Sequence, residues 1–111
     1  MSSKVILIQG QGLGRGDEEL GKLLMANFLR LLGESDNKPK TIVFWNGGVR
    51  LLCEGSPVLE HLKRLEGQGV EILGCATCLE YFKLMDIIKA GKTTNMLRSI
   101  NSMLDSEMVC L

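Results

Sequence analysis

Histidine occurs once in this chain, proline twice, and the aromatics amount to one tryptophan, one tyrosine and three phenylalanines. A single histidine and the absence of G-x-S-x-G leave Ser/His/Asp hydrolysis without support. No charge of one sign prevails: 13 Lys and Arg balance 13 Asp and Glu, for a net charge of zero. Such a chain has no basic field to hold nucleic acid or an anionic membrane, and neither partner is expected. Long apolar runs are missing too. The longest, Val5–Ile8 and Ile42–Trp45, fall far short of the roughly 20 residues of a membrane span or the roughly 7 of a signal-peptide core. A cytoplasmic location is therefore expected. Four cysteines in 111 residues are too few for a disulfide scaffold and read as thiols, chemistry or ligands.

What is present fits one globular domain spanning residues 1–111, with 45% hydrophobic and 23% charged residues. Short runs rich in branched residues, Val5–Gln9, Thr41–Trp45 and Val70–Leu73, read as buried parallel strands. Thr93-Thr94 and Met108–Leu111 are candidates for a fourth and a fifth. Between them the period becomes helical. Leu20, Leu23, Leu24, Phe28, Leu31 and Leu32 form one stripe, with Asp17 as its N-cap and Glu18 and Glu19 at its positive end. Ser56-Pro57 reads as the start of a second helix through Leu59, Leu62 and Leu65 to Gly67. A third runs from Cys78 through Tyr81, Phe82 and Met85 toward Gly91, and Met96, Leu97, Ile100, Met103 and Leu104 mark a fourth. The polar stretch Gly33–Lys40 reads as a helix-to-strand loop. Strands alternating with helices predict an α/β fold, a parallel sheet with helices on both faces.

Open parallel sheets bind ligands beyond the carboxyl ends of their strands, so the post-strand loops carry the functional information. They are Gln9–Gly16 (Q-G-Q-G-L-G-R-G), Asn46-Gly47-Gly48, and Gly74–Cys78 (G-C-A-T-C), and they hold seven of the 13 glycines. Gly10, Gly12, Gly14, Arg15, Asn46, Gly47 and Gly48 are candidate binding residues for a small anion or a sulfur cargo. Tight strand-to-helix turns explain many of the same glycines without a ligand. Gly16-x-x-x-x-Gly21-Lys22 approaches a P-loop, but Leu23 replaces the magnesium-binding hydroxyl and Asp17, Glu18 and Glu19 repel phosphate. The dinucleotide pattern fails because the glycines alternate at 10, 12, 14 and 16. Glu54 follows the second loop and is the acid expected to face the crevice, unless it is a solvated loop residue.

Cys75-Ala76-Thr77-Cys78 is the strongest chemical feature. Following a strand and opening a helix, it places Cys75 where free N–H groups favour the thiolate, and Cys78 where it can resolve an adduct as a disulfide. Two buried small hydrophobes is the bland alternative. One C-x-x-C supplies two zinc ligands of the three or four required, and Cys53, His61 and Cys110 form no second close pair, so no metal is expected within one chain. Cys53 and Cys110 read as packing residues, and His61 as a surface or helix residue.

The chain resembles the DsrE/DsrF-like family, and within it the C-terminal domain of YedF-type proteins linked to selenium metabolism. The resemblance runs through G-x-G-x-G-x-x-D-E-E-L-G-K-L-L-M from Gly10, F-W-N-G-G-V-R-L at Phe44–Leu51, E-G-S-P-V-L at Glu54–Leu59, L-x-x-L-E-x-x-G-V-E-I-L ending at Leu73, C-A-T-C-L at Cys75–Leu79 and T-N-M at Thr94–Met96. It implies a three-layer α/β/α fold with a mainly parallel five-stranded sheet. It implies a sulfur-transfer function in which Cys75 bears a persulfide and Cys78 is the resolving thiol, with no cofactor. It further implies sulfur donor and acceptor proteins, among them a TusA-like partner, and a homo-oligomer, trimer or hexamer. Ala76 stands where the YedF-like motif has glycine, and the TusA-like domain that usually precedes this domain is not in these 111 residues. From the residues alone, a dithiol redox protein and a non-catalytic small-anion-binding or assembly module stay open beside sulfur transfer.

Overall fold

The computed structural model describes residues 2–111. Five strands, β1 (Val5–Ile8), β2 (Thr41–Phe44), β3 (Glu71–Cys75), β4 (Lys92–Thr94) and β5 (Met108–Cys110), form one sheet in the order β4-β3-β2-β1-β5, with every pairing parallel. The helices are α1 (Glu18–Glu34), α2 (Leu59–Gly67), α3 (Ala76–Tyr81) and α4 (Met96–Leu104), with 3₁₀ segments at Asn46–Leu52 and Met85–Ile87. This is the expected α/β fold with a five-stranded sheet.

The topology dictates the layers. From β1 to β4 each connection steps the same way along the sheet, so right-handed crossovers put α1, α2 and α3 on one face. The connection from β4 steps back past three strands to the far side of β1, which sends α4 to the other face. Two apolar clusters record this division. The larger joins Ile6, Ile8, Ile42, Phe44 and Ile72 of the strands to Met25, Leu29, Leu62, Leu65 and Leu79 of the helices. The smaller joins Val5, Leu7 and Val43 to Met103 and Met108. Side chains alternate across a strand, so odd and even residues of β1 feed different layers.

Several boundaries differ from the sequence expectation, each for a local reason. α1 buries Gly21, Met25, Leu29 and Gly33; of the expected stripe only Phe28 and Leu32 pack against the core, while Leu20, Leu23, Leu24 and Leu31 are exposed. Its two buried glycines let backbone and side chains approach, since a Cβ on Gly21 would lie 3.1 Å from the Leu13 carbonyl oxygen and one on Gly33 would lie 3.3 Å from Cδ of Arg64. Asp17 does cap α1, accepting from the Leu20 N–H at 2.8 Å. Ser56-Pro57 is a turn ahead of α2: the Ser56 hydroxyl accepts from the Val58 N–H, and the helix begins at Leu59. β3 runs on through Gly74 and Cys75, because a residue without a side chain fits beneath Leu52 and Leu79. α3 stops at Tyr81, and Lys83 turns the chain at φ +59°. The apolar stripe of α4 faces outward at Met96, Leu97, Ile100 and Leu104 and buries Ser99 instead.

Among the described residues that Ser99 hydroxyl has no hydrogen-bond partner, nor has the hydroxyl of Thr94 or the indole N–H of Trp45. A buried unpartnered hydroxyl forfeits its hydration, so Ser99→Ala is expected to leave stability unchanged or raise it. Leu62→Ala, at a fully buried position, is expected to cost about 2–5 kcal/mol. Denaturant unfolding of the two variants checks both, and a marked loss in Ser99→Ala would contradict the placement of α4.

Candidate functional site

Three backbone segments meet at the carboxyl edge of the sheet. After β1 the chain enters the glycine loop, which closes on α1 through the Leu13 N–H bonded to the Gly21 carbonyl. A Cβ on Gly12 would lie 2.9 Å from the Gly21 backbone, so glycine there is demanded by packing alone. Gly14 and Gly16 hold positive φ and are needed for the turn. The loop and the first turn of α1 enclose a cavity of about 490 Å³ lined by Gly10, Gly12, Gly14, Arg15, Asp17 and Lys22, among others. Its two cations are matched by the carboxylates of Asp17 and Glu18, so it offers an anion no clear electrostatic advantage.

After β2 the chain does not form the open loop expected from Asn46-Gly47-Gly48 but a 3₁₀ segment. Its first residue, Asn46, sits at φ +48°, a conformation asparagine tolerates better than most residues. Gly48 is pressed against β1: a Cβ on it would stand 2.6 Å from the Ile8 carbonyl oxygen and 3.3 Å from the Gly10 nitrogen. The Gly48 N–H donates to the Trp45 carbonyl and the Trp45 N–H to Ile8, which locks the turn.

The turn points the Asn46 N–H at a sulfur. It donates to Sγ of Cys78 at 3.1 Å. Cys78 is partly exposed and opens on a pocket of about 280 Å³ lined by Asn46, Thr77, Cys78, Tyr81 and Phe82. Cys75, last residue of β3, is only 1% exposed, and it adjoins the larger core cluster. Burial pushes the Cys78 thiol above the ordinary range, the Asn46 N–H pulls against that rise, and the neighbouring Cys75 thiol adds to it by hydrogen bonding and charge repulsion. Ala76 starts α3 without positive φ, so alanine replaces glycine there without strain.

The candidate residues thus divide into two neighbouring sites. Gly10, Gly12, Gly14 and Arg15 line the glycine-loop cavity, Asn46 and Cys78 line the thiol pocket, and Gly47 and Gly48 line neither. The sequence places Tyr81 and Phe82 in a helical run and gives them no role at the site. Tyr81 ends α3 and Phe82 caps it, three and four residues after Cys78, and all three line one pocket. Phe82 is stacked edge-on by Tyr81 at 5.4 Å and covered by the Arg50 guanidinium at 4.5 Å. Glu54 is an exposed loop acid. Cys53 is a packing residue whose thiol donates to the Val49 carbonyl, and burial pushes that thiol above the ordinary range against the pull of Arg50. Cys110, expected to pack, is exposed on the edge strand β5. Among the described residues no group of three or more His, Cys, Asp or Glu is placed to hold a metal. Nor is any helix among the described residues long and apolar enough to cross a membrane.

The fold that carries these residues occurs in other proteins. The chain is similar to the crystal structure of the YchN protein from E. coli, with a TM-score of 0.75 and 16% identity over all of both chains. The fold is shared. It is likewise similar to a protein of unknown function, MTH1491, from Methanobacterium thermoautotrophicum, with a TM-score of 0.72 and 18% identity over all of both chains. A conserved protein of unknown function from Bacteroides thetaiotaomicron, BT1422, gives 0.70 and 15% over 98% of this chain and 95% of that one. At such identities the likeness establishes the fold alone. No protein-family model matches the chain, and no curated protein does.

Two outcomes follow from the site. Because the Cys78 thiol is raised, its thiolate fraction at neutral pH is below that of a free cysteine, and its alkylation rate should keep climbing beyond pH ~8.5. A rate that levels off below that pH would contradict the balance described. Gly48→Ala should displace the 3₁₀ segment from β1 and change the rate at Cys78, whereas Asn46→Gly, which preserves the positive φ, should change it little.

Proposed function

We propose that this chain is a small cytoplasmic sulfur-transfer protein of the DsrE/F-like kind. It holds a sulfane sulfur as a persulfide on the Cys75–Cys78 pair and passes it to another protein. One observation carries the reading. Two thiols three residues apart lie at the carboxyl end of a central strand, one of them in an open pocket with a backbone N–H already on its sulfur. A persulfide needs a reachable thiol, a donor to steady sulfur anion, and a second thiol to discharge it. The motif resemblance to YedF-type proteins and the fold shared with YchN support the same reading. The partners are a sulfur donor and a sulfur acceptor, a TusA-like protein being one such acceptor. Selenium in place of sulfur uses the same groups, which fits a role in selenium metabolism. The exposed Met96, Leu97, Ile100 and Leu104 of α4 suit a subunit contact, and with it a trimer or hexamer.

The adjacency of the two thiols also favours a second reading, a dithiol redox protein without sulfur cargo. Intact-protein mass after exposure to a sulfane-sulfur donor separates the two. One of the single variants, Cys75→Ala or Cys78→Ser, is expected to gain one sulfur atom that reductant removes, and the Cys75→Ala/Cys78→Ser double variant to gain none. Loss of two hydrogens by the wild type with no sulfur gained by either single variant would favour the redox reading. No change at all would leave a non-catalytic binding module.

For the oligomer, Leu97→Glu combined with Leu104→Glu should lower the mass measured by light scattering to that of a single chain. A wild type that is already monomeric would refute the subunit contact.

A further inference from the structure

Resting on the sulfur-transfer reading, we infer that Cys78 is the thiol that receives sulfur, from a neutral organic hydropersulfide seated against Tyr81 and Phe82, and that buried Cys75 then expels it. This reverses the order in which the motif alone would assign the two cysteines. Attack on a sulfur–sulfur bond requires the thiolate to approach in line with that bond. Cys75, 1% exposed, offers a donor no such approach. Cys78 faces a pocket of about 280 Å³, and its sulfur already accepts the Asn46 N–H at 3.1 Å. The five residues around that pocket carry no charge, and two of them are aromatic. The guanidinium of Arg50 is engaged over the Phe82 ring. A dianionic donor would lose hydration on entering with little in return, whereas an alkyl group gains by covering the rings.

The chemistry closes. The Cys78 thiolate attacks the outer sulfur of R–S–SH, a Cys78 Sγ–S bond forms, the bond between the donor's inner and outer sulfurs breaks, and R–SH departs with the proton that Cys78 gave up. Cys75, one helical turn away, then attacks Sγ of Cys78. The Cys75–Cys78 disulfide forms and the outer sulfur leaves with its own hydrogen, taking the electron pair of the bond that breaks and the Cys75 proton, as hydrogen sulfide in equilibrium with hydrosulfide. The two cysteines are oxidised by the two electrons that reduce the sulfane sulfur, and an external dithiol resets the pair. When an acceptor thiolate takes the outer sulfur first, Cys75 stays reduced, so the buried thiol acts as a discharge path for a persulfide that finds no acceptor.

The test uses tert-butyl hydropersulfide, whose crowded carbon shields the inner sulfur, and thiosulfate as the dianionic comparison. Cys75→Ala is used because a buried serine would add an unpartnered hydroxyl. Circular dichroism confirms that each variant is folded. By intact mass, Cys75→Ala is expected to gain one sulfur atom and keep it, and Cys78→Ser to gain none. The wild type should gain sulfur transiently and end two hydrogens lighter, with hydrosulfide released. Loading from the hydropersulfide should be roughly tenfold or more faster than from thiosulfate. Sulfur retained by Cys78→Ser and lost by Cys75→Ala would overturn the order while leaving sulfur transfer intact. Faster loading from thiosulfate would overturn the donor class. No loading of the wild type by either donor would remove the order and the function together.

Discussion

The absence of a side chain at Gly48 governs the site. With the backbone after β2 seated directly on the Ile8 carbonyl, the turn at Asn46 has one place to go, and its N–H is delivered to Cys78. Three strands contribute. β1 supplies the surface on which the turn rests, β2 leads into it, and β3 delivers the cysteines. No catalytic side chain is needed to hold this arrangement, because backbone-to-backbone contacts make it. Glycine is the residue that permits such contacts, and the usual cost of its flexibility is offset here by tight enclosure.

The same packing makes the two cysteines chemically unequal. Strand β3 carries Cys75 into the interior, and the short α3 then lifts Cys78 back to the surface beside its own Tyr81 and Phe82. Burial opposes ionisation at Cys78 more strongly than the Asn46 N–H favours it. The resting thiol is therefore less ionised at neutral pH than a free cysteine. A persulfide at the same position would be the more acidic species and the better acceptor of that N–H, so the donor favours the loaded state over the empty one.

Much of the fold could be read from the residues, and the reasons are local. Val5–Ile8 and Thr41–Phe44 announce themselves as buried strands by composition, and Asp17 announces a helix start by its cap chemistry. What could not be read depends on contacts distant in sequence. Four leucines of α1, Leu20, Leu23, Leu24 and Leu31, keep helical spacing yet face outward, because the glycines at 21 and 33 bring a neighbouring stripe onto the core. The outward apolar face of α4 follows from a topology that no periodicity encodes. At the site, the C-x-x-C pair was legible as chemistry, but which thiol is reachable was not. That depends on β3 running two residues past the expected end and on a turn 32 residues earlier in the chain, which periodicity does not reveal. The glycine loops likewise looked like one crevice and are two neighbouring sites, since Gly12 and Gly48 are consumed by packing.

A crystal structure of the Cys75→Ala variant, loaded with tert-butyl hydropersulfide and cooled before reduction, tests the central claim most directly. The account predicts density for one additional sulfur on Sγ of Cys78, lying in the Tyr81–Phe82 pocket with the Asn46 N–H still directed at the sulfur pair. Additional sulfur elsewhere, on Cys53 or Cys110 with Cys78 bare, would contradict it.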